Sequence, residues 1–86
     1  MQANVTTTSS LSISVPVGAL GVIIQNESDT DIRLAFNKLA TTTGIFLTAA
    51  TGSLSLMFPG GLTRAFGIAA IHAGSGTKVL TYDIIN

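Results

Sequence analysis

Any catalytic reading of this chain has to start from its reactive side chains, and they are few. The 86 residues include one histidine, no cysteine, four carboxylates and four basic side chains. A nucleophile or general base needs a neighbour that tunes its pKa. His72 stands between Ile71 and Ala73 in an apolar run, so the fold would have to bring Asp83 or a serine hydroxyl to it. No G-x-S-x-G or comparable nucleophile turn accompanies it, and the pattern favours a hydrogen-bonded or interface-facing strand residue. The carboxylates Glu27, Asp29 and Asp31 share one short segment and in principle suit a calcium or magnesium ion. The twelve-residue loop with its closing glutamate is missing, however, and Asp, Asn and Ser also build turns by bonding their own backbone. Turn chemistry is the better reading. Gly74-Ser75-Gly76-Thr77 has the look of a phosphate cradle, but no lysine follows in the required place and the next residues read as a strand, so a hairpin turn accounts for it. No pair of carboxylates sits at positions that suggest glycoside hydrolysis. The expectation is a protein without catalytic residues, cofactor or metal site.

The elements that would have to position such groups are strands. No stretch of a dozen residues keeps an apolar stripe at a period of 3.6, whereas a period of two recurs. Leu11, Ile13 and Val15 alternate with Ser10, Ser12 and Ser14, and Pro16 ends that strand. Leu20–Gln25 is nearly continuous in apolar residues, which suits a strand buried on both faces. Ile32, Leu34 and Phe36 follow, so Asn26–Asp31 is predicted as a hairpin loop. Lys38–Thr43 is predicted to cross between sheets. Further strands are expected at Ile45–Leu47, Leu54–Phe58 before the Pro59-Gly60-Gly61 stop, Phe66–His72, and Lys78–Ile84, where Leu80, Tyr82 and Ile84 share a face. Six or seven short strands point to an all-β fold, a small antiparallel β-sandwich or jelly-roll-like barrel. The alternative is a mixed fold with one helix near Asp31–Ala40 or Thr63–Ala73.

Residues 1–10 read differently from the rest. They are polar and Thr-rich around the apolar Val5, and strict alternation begins only at Leu11. The domain plan is therefore a polar N-terminal arm over 1–10 and a single β domain over 11–86. The arm is expected either to trail or to add a strand to a neighbouring subunit.

Composition bounds the partners. Hydrophobic residues make up 47% of the chain and charged ones only 9%, with zero net charge. An ordinary soluble domain carries about 25% charged residues. A chain this short buries only about 60–65% of the surface its unfolded form exposes, and it has no cysteine for disulfides. Both observations point to association with copies of itself or with other proteins. Arg33, Lys38, Arg64 and Lys78 are scattered, so there is no basic footprint for nucleic acid. The uncharged stretches Met1–Asn26 and Leu39–Thr63 are broken by Ser, Thr, Gly and Pro, which argues against a membrane span or a signal peptide. The five aromatics fall mostly at inward positions, unlike the exposed platform of a carbohydrate-binding module.

Four segments stand in a recognisable order: Val22–Phe36, with a polar loop after an apolar strand; Thr43–Ala49, with Gly-Ile-Phe-Leu; Gly52–Leu56, a Gly-Ser strand; and Ala69–Leu80, whose apolar strand ends in Ser-Gly-Thr. This order resembles small β-sandwich virion structural proteins of tailed bacteriophages, over roughly Leu20–Ile84. The chain departs from that pattern in its low acidity and in the Phe58–Gly61 turn. The resemblance implies a structural role in the virion after synthesis in the host cytoplasm. That role would be a capsid decoration (cement) protein or a component of the neck, tail or fibre base. The partners implied are copies of itself, as in a trimer, and the major capsid protein or other virion proteins.

Overall fold

The computed structural model describes residues 1–41 and 43–86. They form eight strands: β1 (Gln2–Val5), β2 (Ser10–Val15), β3 (Gly21–Asn26), β4 (Ile32–Phe36), β5 (Ile45–Leu47), β6 (Gly52–Met57), β7 (Phe66–His72) and β8 (Lys78–Ile85). No helix occurs among the described residues, and so none long and apolar enough to cross a membrane. The stretches at 31–40 and 63–73 that left room for a helix hold β4 and β7 instead.

Two antiparallel sheets face each other, sheet I in the order β1-β8-β3-β6 and sheet II in the order β2-β7-β4-β5. The pairs β1·β8, β2·β7, β3·β6 and β4·β5 are nested, the first strand with the last and so inward to the middle. The chain is thus one long hairpin, with its tip between β4 and β5, rolled until β3 also meets β8 and β4 meets β7. That connectivity is a jelly roll. Ile13, Ile24, Ile32, Leu34, Ile68 and Leu80 fill the space between the sheets, fully buried, and each contributes about 1.5–3 kcal/mol by leaving water. Phe66 bridges Phe36 and Phe58, with ring centroids 5.3 and 5.5 Å apart, and these rings pack against the core.

Several expectations change. Residues 1–10 are not an arm lying apart from the core, because β1 pairs with β8 of the same chain and buries Ala3 and Val5. Two small inward residues suffice for that, which is why the segment reads as polar. The connections at 26–31 and 73–77 are not hairpins, since each carries the chain from one sheet to the other. Conversely, β4 and β5 are neighbours in one sheet, so the predicted Lys38–Thr43 crossing, which contains Thr42 outside the described residues, joins strands of sheet II. β3 is buried on one face only and shows Ile23 and Gln25 to solvent. β2 carries a bulge between Leu11 and Ile13. The extra residue, Ser12, reverses the alternation, so Leu11 turns outward instead of sharing the inner face of Ile13 and Val15.

Candidate functional site: an apolar sheet face

Of the residues that suggested chemistry, His72, Asp29 and Asp31 each make local bonds. His72 is buried, and its ring spans the β7–β8 connection. Nδ1 accepts a hydrogen bond from the Gly74 amide at 3.1 Å, and Nε2 lies 2.7 Å from the Gly76 carbonyl, to which it donates. One acceptor and one donor fix the neutral tautomer with hydrogen on Nε2. Asp83 lies on the outer face of sheet I opposite Ile23, whereas His72 pairs with Ile32 in sheet II, so the two do not meet. The glycine-rich segment after His72 is held by this ring and leads into β8 rather than a helix.

In the acidic segment the organiser is Asn26, which is fully buried. Its Nδ2 donates to the carbonyls of Thr30 and Leu47 at 2.9 and 3.0 Å, and its Oδ1 accepts from the Ser28 amide and hydroxyl at 3.1 and 2.7 Å. The carboxylates around it diverge. Asp29 takes Lys78 in an ion pair of 2.9 Å, and Asp31 accepts the Ala49 amide at 2.7 Å. A hydrogen bond from Lys78, helped by one from Thr30 and by the charge of Lys78, holds the Asp29 carboxyl below the usual aspartate range. Among the described residues no three His, Cys, Asp or Glu side chains come together, and no buried side-chain nitrogen or oxygen lacks a partner.

What the fold does assemble is a surface. Strand register lines up the outward residues of sheet II in rows, Leu11 beside Ala69 and Ala35, and Ile71 beside Arg33 and Phe46. The β4–β5 connection lies back over this face. Ala40 packs on Ala35 and Ala69 with Ile71 alongside, and its amide is pinned by the Ser9 hydroxyl at 2.8 Å. Leu11, Leu39 and Phe46 stand out from it, 64%, 75% and 45% exposed. The charge within the rows, Arg33, is tied down: its guanidinium donates to the Gly44 carbonyl at 3.0 Å and lies 4.2 Å from the centroid of the Phe46 ring. Sheet I differs. A polar row of Gln2, Thr81, Gln25 and Ser53 crosses all four of its strands, with apolar residues gathered at one corner around Ile23, Met57 and Ile85.

The two outer faces are therefore unequal, one wetted and one apolar around the cation Arg33, whose guanidinium is held by a carbonyl and an aromatic ring. Burial of such a face against a complementary apolar surface would release water from both. Sequence reasoning missed it, because Leu11 read as sharing the inner face of Ile13 and Val15, and Ala69 and Ile71 read only as part of an apolar strand. The one signal available was the Ala-rich run Ala69-Ala70, whose small side chains leave room for a covering segment. Phe46 is the aromatic that stands exposed, Phe36, Phe58, Phe66 and Tyr82 being packed against the core, so no stacking platform for sugars is formed among the described residues.

No family model matches the chain, and no curated protein or solved structure matches it.

Proposed function

We propose that this protein is a non-enzymatic structural component of a phage particle, a capsid decoration protein that stabilises the shell as a homo-oligomer. The apolar outer face of sheet II carries the reading. On a domain with so few charges, that face suits a partner surface of the same apolar character, and the shell protein is the occupant to which the proposal commits. A jelly roll is compatible with this role, because the fold recurs in viral shells, but it recurs in sugar-binding domains too. The absence of an aromatic platform among the described residues favours the shell over the sugar. A place in the neck, tail or fibre base would use the same face.

The test adds purified protein to particles that lack it and measures occupancy. Leu11→Asp places a charge at the exposed end of one apolar row without disturbing the core, and should reduce occupancy at least about tenfold, the equivalent of 1.4 kcal/mol. Circular dichroism should be unchanged. Undiminished occupancy of Leu11→Asp and of Ile71→Asp would remove this face from the mechanism.

A further inference from the structure

Two open sheets have four edge strands, and three of them here are blunted. β5 has three residues. β2 is broken by its bulge. β1 has four residues, and the Asn4 carbonyl is taken by the Ser12 hydroxyl at 3.2 Å. Short length, bulges and local capping are the usual protections of an edge, together with lysine and proline. β6 has none of them. It runs six residues, Gly-Ser-Leu-Ser-Leu-Met, in unbroken register with β3, without charge or proline. Among the described residues no side chain or backbone group outside sheet I bonds to Ser53–Met57.

We infer that the free edge of β6 is a self-pairing surface, on which a second copy of this chain adds its own β6 antiparallel across a two-fold axis. The occupant follows from the sequence of the strand. Antiparallel pairing about an axis perpendicular to the sheet puts residues of equal parity opposite each other. Centred on Ser55, it sets Ser55 against Ser55 and Leu54 against Leu56; centred on Leu54, it sets Leu54 against itself and Ser53 against Ser55. In both registers hydroxyl meets hydroxyl on the outer face and leucine meets leucine on the core side, with no charge to repel. Leu54 and Leu56 are only half-buried at this end of the sandwich, although they pack against the core, and a second copy would cover them. The two four-stranded sheets would become one of eight, joined by about six backbone hydrogen bonds, because alternate residues of each strand face the edge. The inference deepens the homo-oligomeric part of the proposed function and leaves the sheet II face free for the shell.

The chain has no cysteine, so an introduced thiol reports alone. Ser55→Cys, Ser53→Cys and, on the opposite edge, Asn4→Cys are oxidised in dilute solution, and the wild type and Ser55→Lys are weighed by sedimentation. The expected results are a wild-type dimer and at least about tenfold weaker association for Ser55→Lys. Ser55→Cys, or a mixture of Ser53→Cys with Ser55→Cys, should cross-link faster than Asn4→Cys. A monomeric wild type, or β6 thiols that link no faster than the Asn4→Cys control, would overturn the inference. If Leu11→Asp dissolves the dimer and Ser55→Lys spares it, the β6 contact fails while a homo-oligomer stands. If the β6 dimer forms but never occupies particles, the virion role fails while this contact stands.

Discussion

Asn26 shows how one polar side chain decides a local structure. Four hydrogen bonds converge on it, and two of them, to Thr30 and Leu47, join the β3–β4 connection to β5. Asn26→Ala should leave the Leu47 carbonyl without its partner in the interior, at about 1–3 kcal/mol for such an unpaired group. Thermal unfolding should show a lower midpoint with unchanged far-UV dichroism; an unchanged midpoint would mean that water replaces the amide. Asp29 lies at the other extreme, on the surface. Its carboxyl titrates below the ordinary aspartate value, so its pairing with Lys78 is complete above that range and disappears as the pH falls through the folded-state midpoint. Exposure and salt keep the effect on stability small. The place to read it is the carboxyl resonance, whose midpoint should rise in Lys78→Met and in high salt. The chemistry of these residues was legible from their types, since Asn, Ser and Asp in a row announce a turn. Which of them would be buried was not, because burial of Asn26 depends on β5, twenty-one positions away.

At the level of elements, apolar patterning carries almost directly into strands: β4 falls on the period-two alternation, β5 and β7 on short apolar runs, and Leu80, Tyr82 and Ile84 do face the core. The connections were not legible. A Gly- or Asn-rich turn has the same composition whether the next strand returns beside its predecessor or crosses to the facing sheet, and the choice is made by distant pairing. The pairing of β1 within its own chain was missed for a related reason, since its inward residues are only Ala3 and Val5. This strand makes a sharp prediction. Val5 is fully buried and lies opposite Lys78 in register, so Val5→Lys should force β1 off the edge of β8 and lower stability by at least about 3 kcal/mol, because the new cation would be buried facing a like charge. Hydrogen exchange should then accelerate at the β8 amides that face β1 while β3 and β6 stay protected. Uniform acceleration would show that the sheets open as one unit. The apolar face of sheet II was illegible for a different reason: it is written across four strands, and the bulge at Ser12 shifts Leu11 from the inner set to the outer one.

For the whole molecule, closure is the governing fact. The Cα radius of gyration is 12.2 Å, close to the roughly 12 Å expected of a compact chain of this length, as nested pairing of the first strand with the last requires. Nested pairing makes nearly every strand contact non-local, with β1 waiting for β8. Folding should be slow for the size, in the millisecond-to-second range typical of such topologies. Stopped-flow refolding would measure it, and a microsecond phase carrying the full amplitude would contradict the rolled-hairpin route. The same nesting has a mechanical side. Gln2 lies opposite Thr81 and Val5 opposite Lys78, so residue 1 and residue 86 leave the sheet at the same end of the β1·β8 pair. A load applied between them peels that pair open one hydrogen bond at a time, whereas a load applied along β6 against a neighbouring strand must shear all of its bonds at once. A molecule rolled in this way is weak when pulled by its ends and strong when gripped by its β6 edge.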